Sequence, residues 1–180
     1  MSFAYNHIHI LGASGSGTTT LASALCKELQ YTHFDSDDYF WKSKFTEPRP
    51  RDERLQKLTQ DLSVHNQWIL SGAIIDWGNP LIPLFDLVIF ISLDNNIRME
   101  RLKLREQKRY GKEIKPSGAK YKEFCEFMDW ANFYETGGME VRSRMQQKEW
   151  LHGLSCKVLE LDGEKSIESL TNSTLKTITG

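Results

Sequence analysis

Apolar residues in this chain alternate between short unbroken runs and longer stretches with helical spacing. Residues 8–11 are short, largely apolar and followed at once by glycine-rich sequence, which predicts a strand ending in a tight turn. Leu21, Ala24, Leu25 and Leu29 then recur at the helical period and predict a helix over 19–30. A short strand is expected at 33–35, with acidic residues at its end. Leu55, Leu58 and Leu62 share one face of a helix over 52–65, with Pro48 and Pro50 just before it. Residues 68–70 and 87–91 are continuous apolar runs, the pattern of strands covered on both faces. Residues 157–161, closed by Asp162 and Gly163, predict a fifth strand, and a last helix spans about 166–178. Strands alternating with helices from end to end predict an α/β three-layer sandwich. In such sheets ligands bind beyond the carboxyl ends of the strands, so the segments at 12–17, 35–38 and 71–77 are expected to converge on one edge.

The first of these segments carries the most specific signal. A phosphate-binding loop needs a strand, then G-x-x-x-x-G-K-[ST], then a helix. Gly12, Ala13, Ser14, Gly15, Ser16, Gly17, Thr18, Thr19 and Thr20 supply the glycines at that separation, a hydroxyl at Thr19 and the start of a helix. Glycine admits positive φ, so successive N–H groups can turn toward phosphate oxygens, and the helix adds its own free N–H groups and dipole. Thr19 is then a ligand for Mg²⁺. The lysine is missing, with Thr18 in its place, so any charge on the β- and γ-phosphates must arrive from elsewhere. A dinucleotide fingerprint fits less well, because Thr20 stands where its third small glycine belongs. The competing reading, a merely structural glycine turn, leaves the full strand–loop–helix context without a purpose.

Asp35, Asp37 and Asp38 follow the second strand. Two carboxylates one residue apart at a strand end can share a cleft, one serving Mg²⁺ and the other an acceptor hydroxyl. Asp35 and Asp37 take those roles beside a phosphate loop, and Asp38 reads as surface; alone, the run would be a solvated turn or helix cap. Between Arg98 and Lys115 there are eight basic residues against three acidic ones, and Arg98, Arg101, Arg105 and Arg109 form one stripe on a helix. Such stripes usually face solvent. Here the stripe ends at Tyr110 and Gly111, where a lid can begin, and arginine forks suit phosphate oxygens. Pro116, Ser117 and Gly118 break that helix. A further helical face, Tyr121, Phe124, Cys125 and Met128, reads as packing, and Gly137 and Gly138 as a hinge. Arg142 and Arg144 are secondary phosphate candidates. Arg49, Arg51 and Arg54 are placed to grip an anionic acceptor; Gly72, Asp76 and Trp77 follow the third strand and are candidates for its pocket. His7 and His9 have no partner in view and read as structural.

Composition narrows the setting more than the chemistry. The length, 180 residues, fits one domain spanning 1–180, and the net charge of −1 gives no global reason to expect nucleic acid or a membrane as partner. No apolar run approaches the roughly 20 residues of a membrane span. Cys26, Cys125 and Cys156 are far apart, odd in number and without metal-type spacing, so they read as thiols in a reducing, cytoplasmic compartment. A monomer or dimer is expected.

With the loop, the acidic strand end and the arginine helix in place, the chain resembles the nucleoside-monophosphate and shikimate kinase-like group of P-loop kinases. The resemblance runs to residues 159–163 and is closest in layout to small bacterial proteins described as adenylate kinase-like or topology-modulation-like, with residues 33–35 and 68–72 among the matching stretches. It implies a five-stranded parallel sheet in the order 2-3-1-4-5, an acceptor-binding insert near 37–66 and a lid near 109–138. It also implies that Asp35 aids Mg²⁺, Asp37 orients the acceptor hydroxyl, Arg51 grips an acceptor carboxylate, Arg105 and Arg109 act from the lid, and the loop at 162–163 borders the nucleotide base. Ser71 stands where adenylate kinases carry the Asp of Asp-Gly-x-Pro-Arg, and the arginine of that segment has no counterpart, which argues against AMP as acceptor. Two readings follow: an ATP- and Mg²⁺-dependent kinase of a nucleotide or small molecule, or a nucleotide-binding regulator of the same fold with little or no turnover. The missing lysine favours the second; the paired acids and arginines favour the first. A nucleic-acid- or protein-binding module is disfavoured by the neutral charge and the lack of interleaved aromatics.

Overall fold

The structure, a computed structural model, describes residues 5–43 and 46–179. The chain runs through β1 (His7–Gly12), α1 (Thr18–Leu29), β2 (Thr32–Asp35), α2 (Ser36–Phe40), β3 (Trp41–Ser43), β4 (Glu47–Pro48), α3 (Arg51–Ser63), β5 (Trp68–Ser71), β6 (Leu87–Ser92), α4 (Asn95–Tyr110), α5 (Tyr121–Phe133), α6 (Arg144–His152), β7 (Lys157–Asp162) and α7 (Ile167–Thr179). Short 3₁₀ turns occupy Asn79–Leu84 and Gly111–Ile114.

Five strands form one parallel sheet in the order β2-β5-β1-β6-β7. Counting only those five in sequence, the order is the expected 2-3-1-4-5. The register aligns their carboxyl ends: Asp35 pairs with Ser71, Ser71 with Ile10, Gly12 with Ile91, and Ser92 with Asp162. The loop after β1 and the acids after β2 therefore leave the sheet on the same edge.

Strand alternation divides the core in two. On one face, Ile8 and Ile10 of β1 and Leu87, Ile89 and Ile91 of β6 meet Leu21, Leu25 and Leu29 of α1 and Leu170 and Ile178 of α7. On the other, Leu11, Val88 and Phe90 meet Leu58 and Leu62 of α3, Leu151 of α6, and Trp77, Leu81 and Phe85. Each of these fully buried side chains contributes about 1.5–3 kcal/mol relative to exposure. Central strands lined on both faces this way read in sequence as unbroken apolar runs, which is why the three central strands were legible.

His9 follows the same alternation and lies on the second face, stacked on Phe85 with its edge toward Trp150. Its Nδ1–H donates to the Leu70 carbonyl at 2.9 Å, and burial pulls its pKa down to about 4, so the ring is neutral. Three elements lack a strong sequence pattern: the one-turn helix α2, the β3–β4 hairpin and α6. Each is short, so no long apolar period marks it. No helix among the described residues is long and apolar enough to cross a membrane.

Candidate functional site

The carboxyl edge of the sheet opens into one large cleft of about 1610 Å³. Its floor is the glycine-rich loop. A turn closed by Ser16 N–H to the Ala13 carbonyl, 3.1 Å, carries the chain from β1 into α1. Gly15 and Gly17 hold φ of 88° and 101°, a region that L side chains rarely enter. At Gly17 a Cβ would meet nothing within 4 Å, so it is the backbone conformation and not crowding that requires glycine. At Gly15 crowding adds to it, since a Cβ would approach Leu102 to 2.9 Å. Gly17 caps α1 without a side chain, which leaves the first-turn N–H groups of Thr18, Thr19 and Thr20 without intrahelical acceptors beside the cleft they line.

The acids of the second strand end are brought to the same place. Thr19 Oγ1 donates to Asp35 Oδ2 at 3.0 Å, and Asp35 Oδ1 accepts the Asp37 N–H at 3.0 Å. Asp35 is thus the N-cap of α2, and the cap fixes its carboxylate against the loop's hydroxyl. The helix-cap and cleft-ligand readings of this residue hold together. Asp37 lines the cleft, and its charge acts on Arg142 across it. Asp38 is exposed and outside the lining. Thr18, in the lysine position, lines the cleft and brings no charge.

The arginines divide sharply. Arg98, first of the expected stripe, is fully buried: its guanidinium donates to the Ser14 carbonyl at 3.3 Å and the Ala131 carbonyl at 2.8 Å, and also reaches Asn95 Oδ1. It braces the loop from behind. Arg101, Arg105 and Arg109 line the cleft, as the stripe required. Arg105 Nε donates to Glu106 Oε1 at 2.9 Å, and Arg109 Nη1 lies 3.5 Å from the same oxygen. Glu106 is buried on α4, so these two guanidinium groups are held at the wall of the cleft. Arg144 pairs with Glu135 at 3.1 Å, away from the lining.

The expected acceptor grip by Arg51 is not what the geometry gives. Arg51 lies outside the cleft lining, and its guanidinium donates to the Asp76 carbonyl. Arg49 and Arg54 behave alike: Arg49 donates to the Tyr39 and Trp41 carbonyls at 3.2 and 3.1 Å, and Arg54 to the Arg49 carbonyl while covering the Phe40 ring. These arginines thus satisfy the main-chain carbonyls of Tyr39, Trp41, Arg49 and Asp76. Asp76 itself lines the cleft, with φ of 71° and its N–H on Asn79 Oδ1 at 3.2 Å. Trp77 is buried in the core with its indole N–H on the Ala73 carbonyl, and touches the cleft's edge.

Two site residues were underweighted in sequence. Arg142 Nη2 donates to the Gly12 carbonyl at 3.0 Å, and Gln147 Nε2 donates to the same oxygen at 3.2 Å. Gln147 is in turn fixed by the Tyr134 hydroxyl at 2.6 Å. Arg142 lines the cleft, 130 positions away in sequence from the glycine it touches, so no local spacing announces it. Of the α5 face expected to be packing, Phe124 lines the cleft, and Phe127, Trp130, Phe40 and Trp41 line it as well. Residues 163–167 and Leu170 close its far end.

A parallel sheet in this order, with a glycine loop between its central strand and a helix and an acid-lined cleft at the carboxyl edge, defines a P-loop NTPase fold. The chain belongs to the AAA domain family, which it matches over residues 8–129. It is 46% identical over 169 residues, 94% of this chain and 95% of the relative, to "Uncharacterized protein YqaC" of Bacillus subtilis (strain 168). Among solved structures it is similar to a shikimate kinase from Bacteroides thetaiotaomicron, with TM-score 0.61 and 16% identity over 97% of this chain and 98% of that one. A gluconokinase from Sinorhizobium meliloti 1021 matches with TM-score 0.54 and 15% identity over 95% and 90% of the two chains. The fold is that of shikimate kinase- and gluconokinase-like P-loop kinases.

Proposed function

We propose that this protein is a phosphotransferase that binds Mg-ATP on the 12–20 loop and transfers the γ-phosphoryl group to a nucleotide or small hydroxylated acceptor. One observation carries the reading: the Thr19 hydroxyl and the Asp35 carboxylate meet at 3.0 Å at the mouth of the glycine loop. Both are hard oxygen donors, and a pair of that kind beside phosphates suits Mg²⁺, which keeps several waters and takes few protein ligands. When bound, Mg²⁺ neutralises phosphate charge.

The chain's own groups then have distinct tasks. Backbone N–H groups of residues 14–20 hold the phosphates. Asp37 accepts the proton of the acceptor hydroxyl as its oxygen attacks the γ-phosphorus and the bond to the β-phosphate oxygen breaks, releasing ADP. Arg105 from α4 and Arg109 from the start of the 109–138 lid close over the transferred group, and residues 37–66 with Asp76 shape the acceptor pocket. Residues 162–163 border the base. The cytoplasm, with its ATP and reducing poise, is the fitting compartment for three unpaired thiols.

Thermal shift with Mg-ATP, followed by a screen of hydroxy-acid and nucleotide acceptors for ADP release, tests the reading. A rise in melting temperature that Gly17→Val abolishes is expected, because valine at φ near 101° distorts the cradle. A Gly17→Val chain that binds Mg-ATP as well as wild type would sink the loop assignment. The absence of lysine at Thr18 favours a second reading, a nucleotide-responsive regulator; binding with no ADP release for any acceptor assigns the protein to it.

A further inference from the structure

Within residues 12–20 there is no lysine or arginine, yet a bound triphosphate brings several negative charges that N–H dipoles neutralise only partly. The question is which side chain supplies the missing cation. Most nearby arginines are committed. Arg98 is buried on the Ser14 and Ala131 carbonyls, Arg105 and Arg109 rest on Glu106, and Arg144 on Glu135.

Arg142 differs in three respects. Its guanidinium is seated on the loop itself, Nη2 to the Gly12 carbonyl at 3.0 Å, so it keeps its place relative to the phosphate cradle. Its side chain lines the cleft, while its Nε is screened from solvent and has no hydrogen-bond partner among the described residues. A charge so far removed from water is costly, and an anion in the cleft that the side chain lines offsets that cost. Its counter-charge is on the far wall of the same site: burial pulls the guanidinium's pKa down, and the Asp37 carboxylate opposes that shift. Arginine remains charged throughout the physiological range.

We propose that Arg142, delivered from the segment between α5 and α6, replaces the absent loop lysine as the cation on the β- and γ-phosphates of the bound nucleoside triphosphate. The inference rests on the nucleotide-binding reading above. It explains how Thr18 is tolerated, and it makes the triphosphate site dependent on two distant parts of the chain. Gln147, sharing the Gly12 carbonyl and locked by Tyr134, is a positioning residue that keeps Arg142 in register with the loop.

The test is a second-site rescue. Dissociation constants for Mg-ATP and Mg-ADP are measured by calorimetry for wild type, Arg142→Gln, Thr18→Lys and the double variant, with circular dichroism to verify folding. Arg142→Gln is expected to weaken Mg-ATP by about tenfold or more, and Mg-ADP by less, as loss of a charge-assisted contact to the γ-phosphate requires. Thr18→Lys is expected to restore Mg-ATP affinity in the Arg142→Gln chain and to gain far less in the wild-type chain, because the cation is already present there. Equal gains in both backgrounds, or an Arg142→Gln chain that binds Mg-ATP like wild type, would overturn the proposal, as would the same loss from Arg101→Gln alone. Should Arg142→Gln fail to fold, Arg142→Met, which keeps an unbranched apolar stem and removes the charge, serves as the background for the same comparison. A wild-type chain that binds no Mg-ATP overturns the nucleotide reading itself, so the two failures are distinguishable.

Discussion

Two parts of the cleft use arginine in opposite ways. At the phosphate loop, Arg98 from behind and Arg142 from the cleft donate to the main-chain carbonyls of Ser14 and Gly12, atoms fixed by the fold. Along the opposite wall, Arg105 and Arg109 are exposed and share one side chain, Glu106. Arg98 and Arg109 even lie on the same face of the same helix. What separates them is depth. The first turns of α4 run against the loop, where Gly15 packs on Leu102 and the Arg98 carbonyl, whereas its last turns stand free of the sheet. Charge spacing along a helix therefore groups residues that packing assigns to bracing at one end and to ligand contact at the other.

The largest effect that sharpens this contrast is expected behind the loop. Arg98→Ala removes a buried side chain together with its hydrogen bonds to the Ser14 and Ala131 carbonyls, so it should cost about 3–5 kcal/mol in urea unfolding. A loss under about 1 kcal/mol would mean that Arg98 is not a brace.

The second expected effect comes from the strand that feeds the loop. His9 is neutral and buried with its pKa lowered to about 4, against an ordinary value of 6.5. Below pH 6.5 the unfolded chain binds a proton that the folded chain refuses. Stability is therefore full above pH 6.5 and falls as the pH drops toward 4, by a total of about 3 kcal/mol. Urea midpoints measured from pH 7.5 to 4 should show this acid limb, and His9→Gln should flatten it relative to wild type. Parallel profiles for the two proteins would remove His9 from the account of the interior.

The smallest effect belongs to the outer wall. Glu106→Gln releases two half-exposed arginines, so stability should shift by no more than about 1 kcal/mol. Mg-ATP affinity should rise roughly threefold at low salt and less at high salt, as solvent-screened charge predicts. A fall in stability comparable to that of Arg98→Ala would erase the distinction between the two regions.

Much of this was legible in the sequence because the relevant patterns are local. The apolar runs at 68–70 and 87–91 mark strands buried on both faces, and residues 12–20 bring loop, glycines and helix start within one short segment. Thr19 and Asp35 could be matched because both follow predicted strands in one sheet. What was not legible depends on long-range approach. Arg142 reaches Gly12 from a segment with no periodic pattern, and Arg98 looked like one more surface cation until α4 was docked on the loop. Arg51 was expected to grip an acceptor, but the Asp76 carbonyl holds its guanidinium, and backbone hydrogen-bond accounting of that kind cannot be done before the loop's path is known.

Phosphoryl transfer is tested most directly by acceptor-dependent ADP release from Mg-ATP, measured side by side for wild type and Asp37→Asn. Asp37 is exposed to the cleft and opposes Arg142 by charge, so the variant should fold and bind Mg-ATP at least as tightly as wild type. With an acceptor that wild type phosphorylates, its turnover should fall by about 10²–10⁴-fold, the usual contribution of a general base. Undiminished ADP release by Asp37→Asn, or no release by wild type across hydroxy-acid and nucleotide acceptors while Mg-ATP binds, would contradict a phosphotransferase built on this cleft.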